Sequence, residues 1–268
     1  MTMKIGIAGA AGRMGRILIE AVAASPGAAL AAGTVRPGSA RAGRDLGELA
    51  GIGAVGIVAT SDPAVLFAAS DAVIDFTSPA LTATHLDLAA ATGTPLVVGT
   101  TGLDAAQRAA MAAAARKVAI VYGANMSLGV NLLLGITRQV ARALDEDFDI
   151  EIAEIHHRNK KDAPSGTALA LGEAAAAGRG AKLDEVAERG RDGLTGERRR
   201  GAIGFAALRG GDVVGEHAVI FAGDGERIEI AHRATSRLIY GRGAVKAALW
   251  LKDRKPGLYG MADVLGLA

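Results

Sequence analysis

Short apolar runs and longer helical patterns alternate along the first half of the chain. The apolar runs are brief, rich in β-branched residues and bounded by turn residues, which is typical of strands. They are Lys4–Ala8, Ala28–Val35, Gly56–Ala59, Ala72–Phe76, Pro95–Gly99 and Val118–Tyr122. The segments between them predict helices over Arg13–Ala24, Pro63–Ala69, Leu81–Thr92 and Asp104–Lys117. Because strands that are buried on both sides are apolar throughout, this alternation indicates an α/β fold, a doubly wound parallel sheet with helices on both faces.

The pattern changes near residue 127. A long helix is predicted over Leu128–Leu144, with apolar residues at helical spacing: Leu128, Leu132, Ile136, Val140 and Leu144. Apolar and polar residues then alternate, as in strands of a partly solvated sheet, over Asp149–His157, Ile203–Leu208, Glu216–Ala222 and Arg227–Arg233. The polar segment Lys182–Arg200 predicts an exposed excursion, and a last helix is predicted over Gly243–Lys252. We therefore expect two domains: residues 1–126, with 238–268 packing back onto them, and a smaller α+β unit at 127–237.

Composition narrows the function classes. The 268 residues include no Cys, which excludes disulfides, thiolate metal sites and a cysteine nucleophile and fits a reducing cytoplasm. A net charge of +2 with 3% aromatic residues gives no indication of a nucleic-acid partner. The uncharged run Val118–Thr137 contains Gly123, Asn125 and Asn131, so we interpret it as a strand, a turn and a helix rather than a membrane span. No targeting segment is visible, since Met1–Ile7 leads directly into the first strand.

Three glycines, Gly9, Gly12 and Gly15, stand between the first predicted strand and the first helix. A pyrophosphate must approach backbone N–H groups at a helix N-terminus, where a Cβ atom would block it, so this G-x-x-G-x-x-G spacing is a variant of the dinucleotide fingerprint. A chance triple in a glycine-rich chain is the alternative, and the strand–turn–helix context argues against it.

The end of the second predicted strand bears on the choice of cofactor. NAD sites usually offer an acidic residue there for the ribose 2′-hydroxyl, whereas Thr34–Pro37 offers none and contains Arg36. A guanidinium suits a 2′-phosphate, so the sequence favours NADP(H), the alternative being a solvated loop arginine. Gly99–Gly102 and Gly123–Met126 follow later strands, and we expect them at the same edge of the sheet.

The most specific stretch is Glu154–Thr167. His156 and His157 are adjacent at a strand end, so their rings should point to opposite faces. Several cations follow, among them Lys160, and Ser165 is placed to cap a helix whose free N–H groups could hold an anion. This predicts a site for an anionic small molecule that needs proton transfer. The alternatives are a metal site, ordinary surface polarity and a basic nucleic-acid loop; the diverging histidines argue against the metal.

The remaining histidines, His85, His217 and His232, are isolated along the sequence and are expected to be structural.

Together these motifs resemble the 4-hydroxy-tetrahydrodipicolinate reductase family of bacterial lysine and diaminopimelate biosynthesis. The resemblance spans nearly the whole chain and is carried by Gly9–Arg16, Asp75–Thr77, Gly99–Gly102, Asn125–Asn131, Glu154–Leu169 and Lys255–Leu267. It implies a cytoplasmic, homotetrameric oxidoreductase with an N-terminal Rossmann domain that binds the dinucleotide and a second domain that binds substrate and oligomerises. The implied reaction transfers a hydride from NADPH or NADH, with NADPH favoured, to a cyclic dicarboxylate that loses its 4-hydroxyl as water. No metal, nucleic acid or membrane is implied.

The resemblance also implies roles for individual residues. His156 and Lys160 are expected to transfer protons, and His157, Gly166 and Thr167 to bind substrate. The implied cofactor residues are Gly9, Ala10, Ala11, Gly12, Arg13, Met14, Arg36, Gly99, Thr100, Thr101, Gly123, Ala124, Asn125 and Met126.

Three residues depart from the family pattern. Val35 replaces an acid, Asn159 a third histidine and Met126 an aromatic residue. Two other functions use parts of the same pattern: an amino- or keto-acid dehydrogenase on this fold, and a dinucleotide-binding redox sensor without turnover. The double histidine and the helix start at Asp162–Thr167 argue against the dehydrogenase, and a sensor would have no need for proton donors beside an anion pocket.

Overall fold

The computed structural model describes residues 2–267, which divide into two compact units, 2–128 with 238–267, and 129–237. In chain order the elements are β1 Met3–Ala8, α1 Arg13–Ala23, β2 Ala28–Gly33, α2 Leu46–Ala50, α3 Pro63–Ala68, β3 Ala72–Asp75, α4 Pro79–Thr92, β4 Leu96–Val98, α5 Ala105–Ala115, β5 Ala119–Tyr122, α6 Leu128–Ala143, β6 Asp149–His156, α7 Gly166–Gly178, α8 Leu183–Val186, β7 Ala187–Glu188, β8 Ile203–Arg209, β9 Gly215–Gly223, β10 Glu226–Ala234, α9 Leu238–Trp250, β11 Gly257–Tyr259 and α10 Met261–Leu265. No helix among these is long and apolar enough to cross a membrane.

The first unit is built on a six-stranded parallel sheet with the strand order β11-β5-β4-β3-β1-β2. The chain winds from β1 to β2 on one side and through β3, β4 and β5 on the other, so the sheet is doubly wound, as predicted. The carboxyl ends of β1 and β3 are neighbours where the winding reverses. Ligands of open α/β sheets bind in the crevice at this point.

Helices cover both faces of this sheet. Ile5 and Ile7 of β1 are fully buried in one cluster with residues of α1 and α9, including Leu18 and Val245. The opposite cluster contains residues of α3, α4 and α5, such as Phe67. Helices and strands therefore bury apolar side chains on both sides of the sheet, which is why its strands are apolar throughout.

The second unit is a mixed five-stranded sheet with the order β10-β9-β6-β8-β7. β6 pairs antiparallel with β9 and parallel with β8. Helices α6 and α7 cover one face, where Ile150, Ile152 and Phe221 are buried. The other face carries small apolar residues such as Ala153 and Ala218 together with Leu208, which is 56% exposed. The predicted α+β class with one open sheet face is confirmed.

Some predicted elements differ from the structure. Gly56–Ala59 is not a regular strand: the carboxylate of Asp45 accepts hydrogen bonds from the N–H groups of Val55 and Gly56, and the chain bends there. Only Val58 of that stretch forms an isolated bridge, to Asp45. The last long helix begins at Leu238 rather than Gly243.

Helix α6 buries a different stripe from the one predicted. Its buried residues are Val130, Leu133, Thr137 and Ala141, whereas Leu132 is 45% exposed. The predicted residues recur every four positions and drift around a helix of 3.6 residues per turn, so they could not all face one core. The excursion Lys182–Arg200 is largely exposed, as predicted, but contains α8 and β7, and β7 adds an edge strand beside β8.

Candidate active site

The glycine loop between β1 and α1 is shaped for a phosphate. Gly9 has a φ of +71°, in the left-handed region that favours glycine, and a Cβ on Gly15 would lie 2.2 Å from the carbonyl oxygen of Gly9. Gly12 caps α1 without a side-chain hydrogen bond, and no acidic residue occupies the first turn. Since the first N–H groups of a helix have no partner within it, this terminus offers donors and a positive dipole to an anion. These residues fit a dinucleotide pyrophosphate.

A cavity of about 430 Å³ opens beside this loop, at the point where the sheet winding reverses. It is lined by Gly9, Ala11, Gly12, Val35, Arg36, Ser39, Arg41, Phe76, Thr77, Ser78 and Leu81. Of the predicted cofactor residues it brings together Gly9, Ala11, Gly12 and Arg36. The sequence reasoning missed Ser39 and Arg41, although the run of arginines after β2 was a visible signal. The guanidinium of Arg41 donates to the carbonyl oxygen of Ala11 at 3.2 Å.

Two of the other predicted cofactor residues are buried in the interior of the first unit. Ala10 is fully buried, and its N–H donates to the carbonyl oxygen of Thr34 at 2.7 Å. Met126 is also buried in the core of this unit. These side chains do not line the cavity, and neither do Arg13, Met14 and the segments 99–101 and 123–126. A Cβ on Gly99 would overlap the ring of Phe76, so close packing explains this glycine.

In the second unit the carboxylate of Glu154 collects four hydrogen bonds. Its Oε2 lies 2.5 Å from Nδ1 of His156, and Arg209 binds both carboxylate oxygens at 2.9 and 3.0 Å. The N–H of Ser165 donates to Oε1 at 3.1 Å. Sheet register explains the cluster, because Arg209 lies opposite His156 on β8 and His217 lies opposite Glu154 on β9.

Glu154 is 2% exposed but remains ionised. Burial raises its pKa, but the hydrogen bonds from Arg209 and His156 outweigh burial and hold that pKa below its ordinary value. A carboxylate at this position accepts the Nδ1 proton of His156, which leaves Nε2 of the imidazole for proton exchange. Nε2 lies 2.8 Å from where a Cβ on Gly215 would be, so the missing side chain makes room for the ring.

His217 belongs to the same cluster, although sequence reasoning assigned it a structural role. Its Nε2 lies 3.0 Å from Oγ of Ser165, and its ring packs edge-on against His156 with centroids 5.0 Å apart. Burial, followed by the proximity of His156, lowers the pKa of His217 to about 4, so the ring is neutral at pH 7. Because Oγ of Ser165 also accepts from the N–H of Ala168 and caps α7, its own proton is directed to His217.

The loop between β6 and α7 carries the other predicted residues. The ammonium of Lys160 binds both carboxylate oxygens of Asp162 at 2.8 and 2.9 Å, and this bond lowers the pKa of Asp162. Arg209 donates to the carbonyl oxygen of Asp162 at 2.7 Å, so the guanidinium that holds Glu154 also holds this loop. Nδ1 of His157 is buried and has no hydrogen-bond partner among residues 2–267. A side chain on Gly166 would meet nothing within 4 Å, so the start of α7 is open there.

Within the described residues, no cluster of three or more His, Asp or Glu side chains is arranged to hold a metal ion.

Two solved structures share the fold of the whole chain. A dipicolinate-bound dihydrodipicolinate reductase from Paenisporosarcina sp. TG-14 has a TM-score of 0.77 at 22% identity, over 98% of this chain and 99% of that one. An amine dehydrogenase from Mycobacterium smegmatis has a TM-score of 0.59 at 14% identity, over 96% and 94%. The glycine loop on this fold is typical of an oxidoreductase that uses a nicotinamide cofactor, and the ionised Glu154 beside His156 adds a pair suited to proton transfer.

Sequence comparison gives the family. The N-terminal family model of dihydrodipicolinate reductase matches residues 3–126, and the C-terminal model matches residues 129–265. The 4-hydroxy-tetrahydrodipicolinate reductase of Dinoroseobacter shibae is 57% identical over 98% of both chains. That of Afipia carboxidovorans is 56% identical over 99% of this chain and 97% of its own. The chain belongs to the dihydrodipicolinate reductase family. The resemblance, the fold class and the reductase step in lysine and diaminopimelate biosynthesis that it implied are thereby confirmed.

Proposed function

We propose that this chain reduces 4-hydroxy-tetrahydrodipicolinate to tetrahydrodipicolinate with the residues of the Glu154 cluster as its acid–base machinery. The observation that carries the assignment is the buried carboxylate of Glu154, which is locked by Arg209 against Nδ1 of His156. Such a pair fixes the imidazole tautomer and leaves Nε2 for the substrate. Over the whole reaction a hydride and a proton enter the substrate and one water leaves.

The cofactor supplies the hydride, and the first unit holds it. The N-terminus of α1 and the loop Gly9–Gly12 fit the pyrophosphate. We infer a preference for NADPH, because Arg36, Ser39 and Arg41 all border the cavity and none of its lining residues within 2–267 is acidic. Two guanidinium groups can bind a 2′-phosphate, whereas a ribose 2′-hydroxyl would need an acceptor.

The substrate is a cyclic dicarboxylate, as is the dipicolinate named in the structure from Paenisporosarcina. One carboxylate is proposed to bind at the start of α7, through the backbone of Gly166 and Thr167, where the helix dipole favours an anion. His157 is proposed to donate a further hydrogen bond, since its buried Nδ1 has no partner in the described part of the chain. These contacts would orient the ring before any proton moves.

His156 and Lys160 are proposed to deliver the protons. Nε2 of His156 is the ring nitrogen that Glu154 leaves available. Lys160 is held by Asp162 with its side chain 18% exposed, so its ammonium is positioned without being sequestered. A histidine and an ammonium group are suited to protonating the departing hydroxyl, which leaves as water while the adjacent ring carbon gives up a proton, and to returning a proton to that carbon when the hydride arrives.

The open face of the second sheet supports a contact between copies of the chain, and we propose the homotetramer that the family resemblance implies. Ala153, Ala218 and Ala231 form a shallow apolar depression on it beside Leu208. Exposed apolar faces of this kind mark protein–protein contacts. Light scattering, which measures the mass of the assembly, should give the mass of four chains. The proposed compartment is the cytoplasm, where the dinucleotide pool is available.

Turnover tests the proposed machinery. NADPH oxidation is followed with the substrate generated from pyruvate and aspartate semialdehyde. Replacing His156→Gln or Lys160→Met should lower kcat by roughly 10²–10⁴ while NADPH binding is retained. The matched control is Lys182→Met, an exposed lysine of the same unit. Near-normal kcat in both site variants would remove these residues from the mechanism.

A further inference from the structure

A buried carboxylate with five donors stands behind the dinucleotide cavity. Asp75 ends β3 and is fully buried. Its carboxylate lies 2.9 Å from Nδ1 of His85 and accepts hydrogen bonds from the N–H and hydroxyl of Thr77 at 2.9 and 2.6 Å. The hydroxyl groups of Thr82 and Thr100 complete the set at 2.8 and 3.4 Å. His85, an isolated histidine in the sequence, is 4% exposed, and because an ionised carboxylate can only accept, its Nδ1–H is the donor of this buried bond.

These bonds join the loops that follow β3 and β4. The N–H of Thr77 also donates to Oγ1 of Thr100 at 3.1 Å, so the two loops are bonded directly. Thr77 lines the dinucleotide cavity, and its methyl group lies 2.9 Å from where a Cβ on Gly9 would be. The loops after β3 and β4 are therefore bonded to one carboxylate, and the glycine loop lies against Thr77 in the first of them.

The charge of Asp75 explains why His85 is needed beside it. An ionised Asp75 with no cationic or polar partner would be costly to bury and would repel the phosphates of a dinucleotide bound beside Gly9 and Thr77. Burial raises the pKa of Asp75, but the bonds from His85 and the threonines outweigh burial and keep the pKa below its ordinary value. Asp75 is therefore ionised and accepts strong hydrogen bonds, and its partner His85 lies on α4.

We propose that Asp75 and His85 are positioning residues for the dinucleotide: the pair fixes the loop of Thr77, which lines the cavity, against the loop of Thr100. Neither residue lines the cavity, and both act through the threonines. The inference rests on the proposed cofactor site at the glycine loop, and goes beyond it by assigning its rigidity to one buried pair.

The test compares three variants of the full-length protein by fluorescence titration with NADPH and by steady-state kinetics. His85→Leu removes the donor to Asp75, and we expect the Kd and KM for NADPH to rise about tenfold with kcat at saturation within about twofold. His85→Asn places an amide N–H near the position of Nδ1 and should restore most of the binding. Leu86→Ala is the matched control, a fully buried neighbour on α4 whose loss lowers stability without touching Asp75.

The outcomes separate the inference from the cofactor site on which it rests. Gly12→Val tests the glycine loop itself, and normal NADPH binding in that variant would reject the proposed site. If Gly12→Val binds weakly while His85→Leu binds NADPH as well as Leu86→Ala does, the positioning role is rejected and His85 serves stability only. Failure of His85→Asn to bind better than His85→Leu would also overturn the proposal.

Discussion

Replacing Glu154→Gln tests the proposed acid–base site most directly, because it removes one charge and keeps the side-chain volume. The carboxylate now binds Arg209 through two hydrogen bonds of 2.9 and 3.0 Å and His156 through one of 2.5 Å. The amide oxygen can still accept hydrogen bonds at one position, but the NH₂ group faces donors at the other. Arg209 loses a bond in either orientation, because it binds both oxygens, and the orientation that places NH₂ beside His156 also drives the imidazole into the other tautomer.

Breaking a buried ion pair costs about 3–5 kcal/mol. The side chain of Glu154 is 1% exposed and that of Arg209 is 22% exposed, so water compensates part of the lost bond. We therefore expect a stability loss of about 2–3 kcal/mol, measured by chemical denaturation. Without the carboxylate that fixes the tautomer of His156, kcat should fall by roughly 10- to 10³-fold. This is less than the loss of about 10⁴-fold that follows when the triad aspartate of a serine protease is replaced by asparagine.

The pH dependence of stability tests whether Glu154 is ionised in the folded chain. Burial raises the pKa of Glu154, but the hydrogen bonds from Arg209 and His156 outweigh burial and hold it below its ordinary value of 4.5, so the ionised carboxylate stabilises the fold above that pH and the contribution is lost as the pH falls further. Glu154→Gln should therefore lose less stability than wild type when the pH is lowered through the acidic range. Glu173→Gln, on the exposed side of α7, makes the same charge change and is the matched control. A folded Glu154→Gln enzyme with wild-type kcat would refute the reasoning.

Three further predictions follow from the geometry. Arg36→Ala should weaken NADPH binding by about 1–3 kcal/mol and leave NADH binding unchanged, with Arg44→Ala as the control. Equal losses for both cofactors would contradict the assignment of Arg36 to the 2′-phosphate. Gly15→Ala should lower the free energy of unfolding by about 1–3 kcal/mol or more, because its Cβ would lie 2.2 Å from the carbonyl oxygen of Gly9; unchanged denaturation would contradict the close packing. His217 has its pKa lowered to about 4 from 6.5, so the unfolded chain takes up a proton first as pH falls. Wild type should lose up to about 3 kcal/mol more stability than His217→Gln between pH 6.5 and pH 4, and parallel stability curves would show that the ring titrates normally.

Local chain chemistry was enough to predict much of the fold. Strands buried on both sides must be apolar throughout, so β1, β3, β4 and β5 stand out in the sequence, and turn residues mark their ends within a residue or two. Gly56–Ala59 has a similar apolar character, but the carboxylate of Asp45 accepts the N–H of Gly56, and that competition lies outside the segment itself. The glycine loop and the double histidine were likewise visible, because each is contiguous along the chain.

Tertiary structure decided which distant residues complete the sites. Arg209 is 55 residues from Glu154 and His217 is 52 from Ser165. The register of β6 with β8 and β9 places them together, and a slip of one residue would turn every side chain to the other face. In the same way Asp75 meets His85 and Thr100 only because β3, β4 and α4 pack side by side. Sequence alone determined the elements and the contiguous motifs, since those depend on neighbouring residues. Strand register and packing, which depend on the whole chain, determined the partners that give the motifs their charge and orientation.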